Sequence, residues 1–405
     1  MSKSLLTDKL VETVKIRAMI PDSGEIAGNN DGGFPDSEII DILNEEMDVS
    51  ILPKVLDFHE EYYVYYEDIE YDSDITNYRI PYRAIGNKLR EVHFVDSSDK
   101  VSKLTKIELE DLPDFQDGFT FGQSNVFYIK NDFLVIPNSS NNASVSYVRM
   151  YFYLRPNELV PDDEGGVITA INTSTGVITL SAFPTAFSTA TTFDFISKYS
   201  PHKIYSYDIK VGDFNSSSKT LTFSIAKTFT TVNTSTEEIT LSAHGYYTGL
   251  LGTLSTAGTL PTGFSTATDY YVIKVDDDTF KLATSLANAE AGTAIDITGA
   301  GSGTHTFTPS EDHIPNELIV GDYVCIAEES IVPQLPSELH SYLAQCAAMV
   351  CIEAVGDERQ VGIMQKKVDK IEKNMMKLID NRVEGSPQKI NPRNGILKSS
   401  RMRRF

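Results

Sequence analysis

One stretch of this chain is written twice. Residues 171–182, INTSTGVITLSA, return at 232–243 as VNTSTEEITLSA, and FPTAFSTATTFDFI at 183–196 returns at 260–273 as LPTGFSTATDYYVI. Two copies so alike must fold alike, and their alternation of β-branched and polar residues around Asn, Ser and Gly specifies short strands and turns. The second copy is enlarged between Ser242 and Leu260 and continued by a hairpin pattern, YYVIKV-DDDT-FKLAT. Solenoids generally need about three repeats or more. Two copies therefore read as small sandwich-like or barrel-like β units, set side by side into a host. The surrounding block, Gly165–Thr308, has no Arg, few charges and abundant Thr, Ser, Gly and Ala.

The flanks follow a different rule. Leu6, Leu10 and Val14 recur at helical spacing. Ser37 can cap a second, acidic helix with Ile39, Ile40, Leu43 and Met47 on one side, and Pro53 suits the first turn of a third carrying Val55, Leu56 and Phe58. Strand patterns follow at 62–66, 78–84, 89–95, 126–129, 133–136 and 145–153, with Asn131-Asp132 as a hairpin signal. Helix returns near Pro336, with Leu339, Leu343, Cys346 and Val350 on one face and Gly356 placed to end it. Val361, Met364, Val368, Ile371, Met375 and Leu378 then form the seam of a second helix, completing an α-hairpin.

Charge divides the chain further. Its 405 residues carry a formal −22, which argues against coating nucleic acid with the whole surface. From Asp36 to Asp72 there are thirteen Asp and Glu against one Lys. Taken alone this is a solvated acidic face; the functional reading is that it lines an aqueous passage through which DNA moves without adhering, with Asp41, Glu45, Glu46, Asp48, Glu60 and Glu61 as the candidate residues. The last stretch, from Gly385, holds Lys389, Arg393, Lys398, Arg401, Arg403 and Arg404 and no acid, so a +6 tail follows a −28 body. With Ile396, Leu397, Met402 and Phe405 between the cations, it reads as a free end, an arm that orders on an acidic partner, or a DNA-binding tail.

No catalytic or metal-binding constellation emerges. There is no HExxH, GxSxG or GxxxxGK[ST] pattern, and the seven His include no i,i+4 pair and none at zinc-ligand spacing from a Cys. The run Gly299–Gly303 lies between strands and reads as a turn, and Asp276–Asp278 as a solvated hairpin tip rather than a calcium loop. Cys325, Cys346 and Cys351, odd in number, read as buried small apolar residues in a reducing compartment. The start has no secretory pattern, and no apolar run is long enough to span a membrane. Catalytic residues, metals and cofactors are therefore all expected to be none.

Two stretches carry a resemblance: TNYRIPYRAIGNKLREVHFVD at 76–96, and 333–390, running from PQLPSEL through the helical hairpin to DNR and PQKI. With RPNELV at 155–160 between them, they resemble the head–tail connector (adaptor or neck) proteins of tailed bacteriophages. The block from LSTAGTLPTGFSTATDYY onward is also similar to small β modules of phage virion proteins. The resemblance implies a non-enzymatic virion protein at the neck, assembled in the host cytoplasm. Its subunits would form a ring, a dodecamer, bound to the portal protein above and to tail or tail-nozzle proteins below. DNA would pass through without sequence-specific binding, and no membrane would be involved. Helices would build the wall, and Lys389–Phe405 would be the portal-binding arm.

The fold expected on these grounds is α+β: a helical connector core, of N-terminal helices plus a C-terminal α-hairpin, with a small β-sheet and large all-β insertions. The divisions are 1–160 and 309–384 for the two parts of the core, 161–228 and 229–308 for the two repeat copies, and 385–405 for the basic arm. A peripheral tail or fibre-network protein, whose β modules bind carbohydrate or another virion protein, is the alternative function.

Overall fold

The computed structural model describes residues 4–19, 34–72, 74–111, 125–137, 145–188, 192–266, 268–310, 314–355 and 358–379. The molecule is mostly β, with 36% strand against 27% helix, and this overturns the expected helical core with β appendages. The physical reason lies in the two periodicities. Helical stripes at the chain ends are long and easily read, whereas the framework is assembled from many three- to seven-residue strands whose individual patterns are weak.

Two four-stranded sheets form the N-terminal part. In the larger, Val145–Leu154 lies between Val64–Glu70 and Ala84–Asp96, with Val101–Lys103 at the far edge. Val148, Met150 and Phe152 point inward and are fully buried, while Tyr147 is exposed and Arg149 and Tyr151 are half-buried on the other face, the period-two signature of a one-sided sheet. The smaller sheet packs on the inner face through Tyr78, Phe127 and Leu134. Its strands Val126–Lys130 and Phe133–Val135 turn at Asn131-Asp132, with Asn131 in the left-handed region (φ 54). The expected strand over 78–84 shrinks to Asn77–Arg79.

The repeat builds two seven-stranded sheets. In the first module, Thr192–Ile196 and Gly166–Asn172 flank Tyr323–Ile326, a strand supplied from beyond the second module. The second module occupies the chain between them. It opens with Lys227–Phe229 and closes with His305–Pro309, which pair antiparallel to each other. The two ends of its sheet, Lys227–Phe229 and Thr231–Asn233, are consecutive in the chain, so the sheet curls nearly into a barrel. Equivalent residues do equivalent work: Phe187 meets Phe193 edge-on at 5.0 Å and 77°, and Phe264 meets Tyr270 at 5.4 Å and 78°. The glycine run is a turn; a side chain on Gly301 (φ 72) would come within 2.4 Å of the Thr259 carbonyl oxygen.

The helices make one layer. We label α1 (Thr7–Ala18), α2 (Asp36–Glu45), α3 (Leu52–His59), α4 (Leu286–Glu290, in the second module), α5 (Ser337–Val355) and α6 (Glu358–Ile379). A π-helical turn, Glu46–Ile51, joins α2 to α3, so Met47 falls beyond α2; α2 begins one residue before Ser37. α5 is buried nearly all round, with α1 and α2 against it and α6 packed on α5 and α3. One continuous apolar cluster runs through Leu10, Val14, Leu43, Val55, Leu343 and Met364. The three cysteines are buried free thiols, and burial pushes all three up from the usual thiol range.

Candidate functional site

The candidate acidic lining lies on the solvent side of this layer. On α2, Ile39, Ile40 and Leu43 turn inward, so helical spacing obliges Asp41 and Glu45 to face water. Asp48 is exposed on the π-helical turn and Glu46 is half-buried there. Partial desolvation raises the Asp48 carboxyl, against the pull of Arg155. Glu60 and Glu61 follow α3 and are drawn elsewhere: Arg90 lies 2.9 Å from Glu60 and 3.7 Å from Glu61, and the Tyr153 hydroxyl donates to Glu60. The six residues therefore divide into an α2 group and a pair partly neutralised by Arg90.

Asp41 belongs to a feature that reading the acidic run alone misses. It lines a groove of about 700 Å³ between α1, α2 and the turn Asp162–Glu164, together with Asp8, Asp36, Asp163 and Glu164. All five are exposed. Lys15 pairs with Asp36 at 2.5 Å, and the Asp8 and Asp162 carboxylates each accept the other's backbone N–H. The signal was present in the sequence as three consecutive acids after Pro161, which read only as a boundary between units. Among the described residues no group of three or more His, Cys, Asp or Glu side chains is arranged to hold a metal ion. The groove is a broad anionic surface suited to cationic side chains.

A second set fixes the first β module to the rest. Arg83, within the stretch carrying the connector resemblance, is 2% exposed and reaches Asp194 (2.8 Å) and Asp208 (3.2 Å), both in the module. Asn157 accepts from Arg83 and donates to Asp194 at 2.6 Å, and the Glu328 N–H also donates to Asp194. Burial opposes the Arg83 charge, but Asp194 and Asp208 more than compensate and hold the guanidinium above its ordinary range. Such a network fixes orientation rather than performing chemistry.

Two of the described histidines have a structural role at the N-terminal segment. His202 and His340 are fully buried with ring centroids 5.4 Å apart. His340 Nδ1 accepts the Leu5 N–H at 3.0 Å and Ser4 Oγ lies 2.8 Å from His202 Nε2, so the pair clips the N-terminal segment against α5. Burial and the neighbouring His202 push His340 down to about 4, and burial lowers His202 as well. Asp278 accepts from Ser242 Oγ and the Ala243 N–H, tying the hairpin tip to an earlier segment rather than presenting ligands. The basic arm, Lys389–Phe405, lies outside the described residues.

No protein-family model matches the chain, and no curated protein matches it. No helix among the described residues is long and apolar enough to cross a membrane.

Proposed function

We propose that the protein is a structural connector of a bacteriophage virion: a ring beneath the portal that links head to tail and continues the DNA channel. The observation that carries the reading is the solvent-facing acid of α2 and the turn after it, backed by the continuous apolar cluster under α2, α3 and α5. Glu45 and Asp48 are exposed on elements whose inner faces are buried, so their positions are fixed by packing. Repeated around a ring, such residues give a strongly negative bore. DNA phosphates find no cations to displace their counterions there, and the polymer slides without adhering. The basic arm supplies the opposite charge for an acidic portal surface.

The test is imaging of the purified protein mixed with its portal protein, followed by the same mixture lacking 389–405. A ring with a central hole on the portal's axis, lost with the arm while the fold persists, is the expected result. The alternative, a peripheral tail or fibre-network protein, draws on the narrow attachment of the second module. Density for the chain far from the particle axis would favour it and sink the connector.

A further inference from the structure

α6 carries a face that nothing in the described structure covers. Met364, Val368, Ile371 and Met375 pack against the helical cluster. On the opposite side Arg359, Lys366, Lys370 and Lys373 recur at steps of seven, four and three, all exposed, over about 21 Å of helix. Ile363, 61% exposed, stands beside them. Among the described ion pairs none engages these four cations. Two acids farther along the helix are engaged elsewhere: Asp369 accepts from Gln365, and Glu372 accepts from Tyr342 and pairs with Lys54 at 3.0 Å.

The carboxylate groove is the matching surface. α1 and α2 pack on α5 from one side and α6 packs on it from another, so the two charged faces belong to different flanks of one layer. Within the groove, Lys15 engages Asp36, while no described ion pair engages Asp41, Asp163 or Glu164. We propose that the cationic face of α6 in one copy seats in the carboxylate groove of the next copy. Two different patches of one chain then meet head to tail, the arrangement that closes into a ring when the rotation per copy permits. The occupant is a second copy rather than duplex DNA, because this same chain presents the complementary surface: exposed carboxylates fixed in the groove, opposite in sign to the stripe. The inference rests on the connector reading only for ring closure, and it moves Asp41 from the bore to the contact.

The test uses the full chain and two charge-reversed variants: Lys366→Glu/Lys370→Glu/Lys373→Glu on the stripe, and Asp41→Lys/Asp163→Lys/Glu164→Lys in the groove. Circular dichroism and melting establish that both are folded. In sedimentation at low ionic strength, wild type is expected to self-associate and to weaken with salt. Each variant alone should lose association by at least about tenfold in concentration. An equimolar mixture of the two should recover it, since each reversed face then meets its complement. Absence of recovery with both variants folded overturns the contact. So does association unchanged in either variant, loss of association on deleting 389–405 instead, or fluorescent duplex DNA that binds the stripe while assembly is unaffected. A wild type that stays monomeric without portal sinks the contact and leaves the portal-seated ring standing. Variant-sensitive open filaments support the contact and sink the ring.

Discussion

The two β modules share a repeated sequence and are held in opposite ways. The first is locked to its surroundings: Arg83 and Asn157 bind Asp194 in the buried interior, Tyr65 donates to the Ile204 carbonyl, and Ile196 and Ile204 share an apolar cluster with Phe152 and Leu154. The second touches the first through a few contacts, among them Ser224 to the Gly245 carbonyl, Lys274 to the Gly212 carbonyl, Tyr246 to the Ile225 carbonyl and Lys210 over the Tyr247 ring at 5.2 Å. Its own core, around Tyr246, Phe280 and Phe307, is self-contained. The same hairpin chemistry thus serves as a built-in part in one place and as an appended unit in the other. What differs is the side chains at the boundary.

The comparison can be broken most severely at Arg83. Arg83→Ala leaves Asp194 buried without its cation and should cost about 3–5 kcal/mol. Chemical denaturation followed by tyrosine fluorescence and by hydrogen exchange should place the loss in the first module and the N-terminal sheet, sparing the second. Equal loss of protection in both modules would contradict the proposed independence.

Acid acts on the locked side as well. His340 has a folded value of about 4 against about 6.5 unfolded, so the unfolded chain takes up the proton first. Stability is complete above about pH 6.5 and falls as the pH drops towards 4, by roughly 3 kcal/mol for this group. His202, also lowered, adds in the same direction. Protonation of the folded ring at Nδ1, near pH 4, removes the acceptor for the Leu5 N–H, so the protection of Leu5 relative to the free-chain exchange rate should fall there. A flat stability profile between pH 7 and 5 would contradict this.

The close contact between the modules offers a smaller effect. A side chain on Gly212 would lie 1.7 Å from the Gly245 carbonyl oxygen, so Gly212→Ala must push the two modules apart, at about 1–3 kcal/mol. Protease cleavage near 212 or 245 should rise, with the second module's own exchange protection unchanged. The smallest effect is a gain. Glu237 sits at φ 57, where the first copy has Gly176 at φ 70. Glu237→Gly should stabilise the second module by about 0.5–1 kcal/mol in melting experiments. The reciprocal Gly176→Glu should be harmful, because its Cβ would meet the Phe223 carbonyl oxygen at 2.7 Å.

What could be read in advance follows from how far each signal reaches along the chain. The repeat, the hairpin at Asn131-Asp132 and the helices with Leu10, Leu343 and Met364 inward are local patterns, and residues near in sequence decide them. The balance of strand over helix is not legible locally, because short strands acquire meaning only when paired, and Tyr323–Ile326 joins partners from well over a hundred residues earlier. The acidic run disclosed Asp41 but not the groove, since Asp8, Asp163 and Glu164 reach it from elsewhere in the chain. Arg83 stands in the stretch expected as a strand over 78–84, and nothing adjacent to it announces a buried carboxylate supplied by residue 194.

The second module begins at Lys227 and ends at Pro309 on neighbouring antiparallel strands, so the polypeptide enters and leaves through a single doorway. The host need only supply a gap one hairpin wide between residues 222 and 323. Another self-sufficient domain with adjacent termini could be exchanged into that opening while the locked frame kept its shape. The site is a natural mount for a tag or a foreign binding domain on this protein.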